Sequence, residues 1–292
     1  MVKKRIIQGS VIMLGAIMLG ILILLTINAH SMNAMVKKEI TTLIAEAEQT
    51  EVKTFSYTML AGLPEPVQRY FRYVLKDGQE YIRFVKMKAV GDFRPPAMPD
   101  DWNMFITTQT YVTTARPGFI FDAVIKPNAV VWFDARDKYV HGKGGMHVNL
   151  LSGFNVIKED DLKELNVTSL LRWAGEAVMY PTALLPSEYV QWMEIDQHSA
   201  KAVISEGGNT GEYRFYFNDV GEIIRYESDD RYDRIDGEFQ KVGSVAYRSD
   251  YKEVDGIKVP TTFLIARILP DGRHEEFWKG KITDIQFNNL SE

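Results

Sequence analysis

Hydrophobic and polar positions follow three different rhythms along this chain. From Ile6 to Ile27 no charge interrupts the run, and at 1.5 Å per residue it is long enough to cross a hydrocarbon layer about 30 Å thick. The segment reads as a membrane span or a signal sequence. Its length exceeds the usual ~7–15-residue core of a signal peptide and predicts a retained anchor over residues 1–31, while Ala29-His30-Ser31 offers a small-x-small cleavage site. The basic flank Lys3, Lys4 and Arg5 predicts a cytoplasmic N-terminus and an extracytoplasmic main domain on a single-pass protein. Lys37 and Lys38, beyond the run, oppose that orientation.

The second rhythm is helical. Ile40, Leu43, Ile44 and Ala47 recur at helical spacing, so residues 32–62 are expected to hold a juxtamembrane amphipathic helix and a linker. In "LPEPVQRYFRYVL" a proline, Pro64 or Pro66, suits a first helical turn, and Val67, Tyr70, Phe71 and Val74 share one face. Gln68, Arg69 and Arg72 fall on the other side, as a solvated face would have them.

From Tyr81 the period becomes two. "VKMKAVGDF" sets Val85, Met87, Ala89 and Phe93 against Lys86, Lys88 and Asp92, the pattern of a half-buried antiparallel strand. Similar runs recur to the end of the chain and are joined by short turns rich in Gly, Asp and Asn, as in "FNDVGEI" and "LPDGRHE". The pattern predicts one large curved antiparallel sheet of roughly ten to twelve strands over residues 81–290. The class is α+β, a half-barrel with a few covering helices in a domain spanning 63–292. One helical segment interrupts the strands: "TSLLRWAGEAVMY" carries Leu170, Trp173, Ala174, Ala177, Val178 and Tyr180 on one arc, with Thr168 as a plausible N-cap. Pro181 ends it. "PTALLP" then presents Leu184 and Leu185 on a proline-bracketed bridge, expected to act as a lid over the open mouth of the sheet.

Charge and composition narrow the chemistry. The chain carries −5 overall, and because its first 38 residues hold five basic groups and no acid, residues 39–292 carry −10; nucleic acid is not an expected partner. With no cysteine, disulfides, thiol catalysis, thiolate metal sites and a lipidated N-terminal cysteine are excluded. No serine sits in a G-x-S-x-G context. "HGKGG" at 141–145 lacks the residues of a phosphate loop and reads as a hairpin turn, and "HEEFW" at His274 lacks a second zinc-binding histidine. The acidic run Arg225–Glu238 meets Tyr232 and Arg234 where a calcium loop needs acids, so it reads as exposed strands and a turn. No metal and no cofactor is implied. Arg172 and Glu176, four apart, are expected as a surface ion pair on the polar side of the interrupting helix. Asp122, Asp134 and Asp137 lie in or beside apolar strands, and one that faced inward would be the best single candidate for acid-base work.

Aromatics are the more informative excess: Phe, Trp and Tyr make 12% of the chain, many at alternating strand positions such as Tyr213, Phe215 and Phe217. They can be an ordinary sheet core, or the lining of a cavity that so broad a curved sheet encloses. Trp132, Trp173, Tyr180, Leu184 and Leu185 are the candidate ligand-binding residues.

"LPEPVQRYFRYVL", "GFIFDA", "RDKYVHGKG" and "YPTALLP" resemble the markers of an uncharacterised bacterial, membrane-anchored family of unknown function, over about residues 60–290. That resemblance brings no catalytic residue. The C-terminal half, with "FYFNDVGEIIRYES" and "YKEVDGIKVPTTF", is similar to the LolA/LolB-type lipoprotein-carrier superfamily, which implies a curved half-barrel around a lipid-binding cavity. The expectation is a membrane-anchored extracytoplasmic protein, held in the bilayer through residues 6–27, that binds or transfers a lipid or other apolar small molecule. The alternatives are an envelope hydrolase using an inward-facing carboxylate and a structural partner of a membrane complex.

Overall fold

A computed structural model describes residues 2–94, 102, 104–235 and 237–289, with side chains from residue 8 onward except residue 9. The side chains of Lys3, Lys4 and Arg5, and Asp236 at the end of the calcium-loop frame, lie outside the described residues. The apolar run and the amphipathic segment are one continuous helix, α1 (Val2–Glu48). Helix α2 (Glu65–Val74) starts with Pro66 in its first turn, as expected, and buries Val67, Tyr70, Phe71 and Val74.

Fifteen strands follow among the described residues. The first meander comprises β1 (Phe84–Phe93), β2 (Met104–Thr113), β3 (Gly118–Lys126), β4 (Phe133–Val140), β5 (Lys143–Leu150) and β6 (Phe154–Asp160). Helix α3 (Lys163–Glu176) interrupts. The second comprises β7 (Val190–Asp196), β8 (Ser199–Glu206), β9 (Asn209–Phe217), β10 (Ile223–Ser228), a separate hairpin of β11 (Tyr232–Ile235) and β12 (Glu238–Lys241), then β13 (Gly243–Val254), β14 (Ile257–Ile268) and β15 (His274–Phe287). The last strand returns to pair with β1, giving a single 13-stranded sheet of order β6-β5-β4-β3-β2-β1-β15-β14-β13-β10-β9-β8-β7. This is the large antiparallel sheet that the period-two pattern predicts, with more strands than the ten to twelve expected. Strand β6 escaped the pattern because it is an edge: its pairing is made by backbone on one side, and its side chains show no buried alternation.

The sheet is open, yet its two halves touch at one end. The β4–β5 turn meets the β8–β9 turn, where Asn209 Nδ2 donates to Gly142 O (2.8 Å) and Tyr139 OH donates to Glu206 Oε2 (2.6 Å). Gly142 and Gly207 both have positive φ, and a Cβ on Gly207 would lie 2.7 Å from Gly142 Cα; only glycine permits that approach. Helix α3 lies between β5 and β9 inside the curve.

Three local expectations are corrected. Thr168 is not an N-cap: α3 begins five residues earlier, after Leu162, because Leu165 and Asn166 already pack against β5, where Asn166 Oδ1 accepts from Gly144 N (2.7 Å). Thr168 instead binds β11, accepting from Tyr232 N at 2.9 Å. Arg172 and Glu176 are not a surface pair but face the interior. "PTALLP" forms a 3-10 turn, Pro181–Leu184, packed into the main core rather than laid over it.

The outer, convex face carries the second half of α1. Val36 and Leu43 pack on Ile120 and Val140, and Ile44 and Ala47 on Phe84. Arg136, only 1% exposed, forms a two-pronged pair with Glu39 (2.6 and 2.5 Å).

Candidate functional site

Strand alternation decides which groups enter the concave side. Along β4, Arg136 points out to α1 and its neighbour Asp137 points in. Helix α3 presents Arg172 and Glu176 on consecutive turns of its inner face. Arg172 Nη1 reaches Asp137 Oδ2 at 2.5 Å and Nε donates to Glu176 Oε1 at 2.9 Å. The guanidinium lies over the Phe121 ring, 3.9 Å from its centroid. Burial pushes the Asp137 carboxyl up, with Arg172 opposing it; burial also works to neutralise Arg172, but Glu176 and Asp137 outweigh it and hold the cation. Arg172 Nη2 has no hydrogen-bond partner.

Across the interior, Arg248 of β13 is 5% exposed and donates through Nε (3.2 Å) and Nη2 (2.5 Å) to the Tyr226 hydroxyl. Burial pushes that phenol up to about 12, against the pull of Arg248. Between Arg248 and Glu176 lies a cavity of about 20 Å³, room for about one water. Its polar wall is Thr108, Thr110, Glu176 and Arg248; its apolar wall includes Met87, Met179, Phe263 and Trp278. The indole Nε1 of Trp278 is buried without a partner. A larger pocket of about 260 Å³ lies beside Lys163, Asp230 and Lys241, but Lys241 is already paired with Asp230 (2.8 Å). Only the smaller cavity faces the buried ionic groups. Among the described residues no cluster of three or more metal-ligating side chains occurs.

Four of the five predicted ligand residues meet. Trp173 Nε1 donates to Thr113 O (2.9 Å), Tyr180 OH to Trp173 O (2.7 Å), and Trp192 Nε1 to Leu184 O (2.8 Å). Leu184 and Leu185 are 0% and 3% exposed. These four residues build core and do not line the cavity; from the same stretch Glu176 and Met179 do. Trp132 stands apart, half-buried, its Nε1 donating to Ser152 Oγ (3.0 Å). Of the three aspartates only Asp137 faces in. Asp134 accepts from Ser152, and Asp122 is pushed up by burial and by the charge of Asp134. Arg248 is the functional candidate that the sequence reading passed over, although its signal was present: it shares a face with Ser244 and Ala246, the inner face of an otherwise half-buried strand.

A family model described as "Family of unknown function (DUF6920)" matches residues 61–287. No curated protein matches the chain. Among solved structures, a LolA superfamily protein from Nitrosomonas europaea is similar at 8% identity and a TM-score of 0.39, over 77% of this chain and 93% of that one. A DUF1329 family protein from Desulfovibrio piger is similar at 11% identity and a TM-score of 0.40, over 72% and 88%. A beta-barrel-like DUF1849 protein from Brucella abortus follows at 8% identity and a TM-score of 0.24, over 72% and 99%. At such scores these are partial likenesses of shape, and nothing about ligand or activity passes from them.

Proposed function

The chain belongs to that family of unknown function, DUF6920, and we propose that it is a membrane-anchored extracytoplasmic protein that binds an amphipathic, lipid-like ligand in the concave side of its sheet. The observation that carries the proposal is the cavity between Arg248 and Glu176, where an apolar wall meets a buried cation and an unpartnered indole N–H. Such a lining suits an acyl chain with a polar or anionic head. The present volume holds no acyl chain, so binding requires the wall to yield, and two of its members, Met87 and Met179, are the side chains that adapt at least cost. The anchor is the apolar part of α1, whose residues from Val11 to Ile27 are largely exposed. An enzyme built on the inward carboxylate is less well supported: Asp137 is held by Arg172 and does not line the cavity.

The test uses the full chain in lipid nanodiscs. A photoreactive fatty acid is expected to label peptides containing Met87, Met179 or Trp278. Filling the cavity with Ala89→Leu and Thr108→Leu should abolish that labelling while costing about 1–3 kcal/mol of stability. Labelling elsewhere, or undiminished labelling of the filled variant, overturns the proposal. Leu184 and Leu185 are unsuitable for this purpose, since a charge there enters the core.

A further inference from the structure

One end of the sheet gathers exposed apolar side chains that the core does not use. Val130 is 76% exposed, Phe154 55% and Val156 54%. They are not loose ends. Asn128 Oδ1 accepts from both Val130 N (2.9 Å) and Val131 N (2.8 Å), so the β3–β4 loop is held with Val130 outward. Trp132 is pinned beside them by its bond to Ser152, and its carbonyl accepts from Leu151 N (2.9 Å). Two connections, β3–β4 and β5–β6, thus form one braced rim.

The position of that rim along α1 is fixed. Ala47 and Ile44 meet Phe84 at the far end of the sheet, and Glu39 meets Arg136 midway. At the near end Asn28 Nδ2 donates to Gly153 O (3.3 Å), and Leu25 lies so close that a Cβ on Gly153 would come within 2.4 Å of its Cδ2. The helix is unbroken throughout, and its apolar run ends at Ile27, before Asn28 and His30. The β5–β6 turn therefore sits at the height where the apolar span stops. Beyond the hydrocarbon, each interfacial layer is about 5–7 Å deep. Phe154 is one residue from Gly153, and Val156 is two residues further along a strand, about 7 Å.

We infer that the rim formed by Val130, Trp132, Phe154 and Val156 is seated in the interfacial layer of the bilayer that α1 spans, with Val130 and Phe154 deepest and Trp132 at headgroup level. An indole with an apolar body and a bonded N–H is suited to that layer. The occupant is lipid because the rim is continuous with the lipid-facing surface of α1. This rests on the reading of α1 as a retained span.

The absence of cysteine from the chain makes a direct depth measurement simple. Single nitroxide labels at V130C, F154C and V156C, in full-length protein in phosphatidylethanolamine–phosphatidylglycerol nanodiscs, are compared with I17C within the span and V52C beyond the far end of α1. Labels at 130 and 154 should favour oxygen over a water-soluble nickel relaxer several-fold more than label 52, with 156 between. If label 17 reports lipid while 130 and 154 match label 52, the inference fails and the anchor stands. If label 17 itself reports water, the span fails and the inference falls with it.

Discussion

Arg136 and Asp137 are neighbours in β4, and each pairs with a helix, yet the two pairs belong to different kinds of structure. Outward, Arg136 grips Glu39 of α1, supported by two small apolar clusters on the convex face. Inward, Asp137 holds Arg172 of α3 within the continuous core, where Trp173, Tyr180 and Leu184 are fully enclosed. The convex contact sets the domain against helix α1, and the concave contact is part of the fold. The difference lies in what covers each pair: one helix held by two small apolar clusters on the outside, and the aromatic rings of the continuous core on the inside.

The largest expected effect follows from that contrast. Arg172→Ala leaves Asp137 and Glu176 without their cation and should destabilise the domain by about 3–5 kcal/mol, read as a lower denaturation midpoint. Glu39→Ala removes the outer partner of Arg136, which is itself buried, but its cover is a single helix that can lift to admit water. It should cost less, about 1–3 kcal/mol, and should increase hydrogen exchange in residues 36–47 before the sheet itself is affected. Equal losses from the two variants would collapse the comparison.

The smallest effect concerns pH. The Asp122 carboxyl has a folded pKa above its ordinary value of 3.8, raised by burial and by Asp134. The folded state therefore binds the proton more tightly than the unfolded chain. This contribution favours folding below about 3.8, is lost as pH rises through the folded pKa, and stays lost at neutral pH. Asp122→Asn should flatten that part of the stability profile and leave the protein slightly more stable at pH 7; a variant that is more pH-sensitive than the parent contradicts the assignment. Asp137 shifts in the same direction, but replacing it would also break the ion pair.

What the sequence by itself determined was every feature with a local period. Alternation in "VKMKAVGDF" placed Val85, Met87 and Ala89 on the buried side of β1, the uncharged run marked the apolar helix, and prolines marked the start of α2 and the end of the α3 segment. Tertiary structure decided the rest. Which of three aspartates enters the interior depends on strand register, where one step exchanges the faces. Arg172 and Glu176 have the spacing of a solvent-exposed pair, and only the curve of a sheet closing around α3 buries them. The bridge at Pro181–Leu184 became core instead of lid because Thr182 accepts from Ile82 N (3.1 Å) and Leu184 accepts from Trp192, partners 100 residues before and 8 residues after. The contact with Ile82 depends on how distant parts of the chain meet, and no window along the chain contains that information.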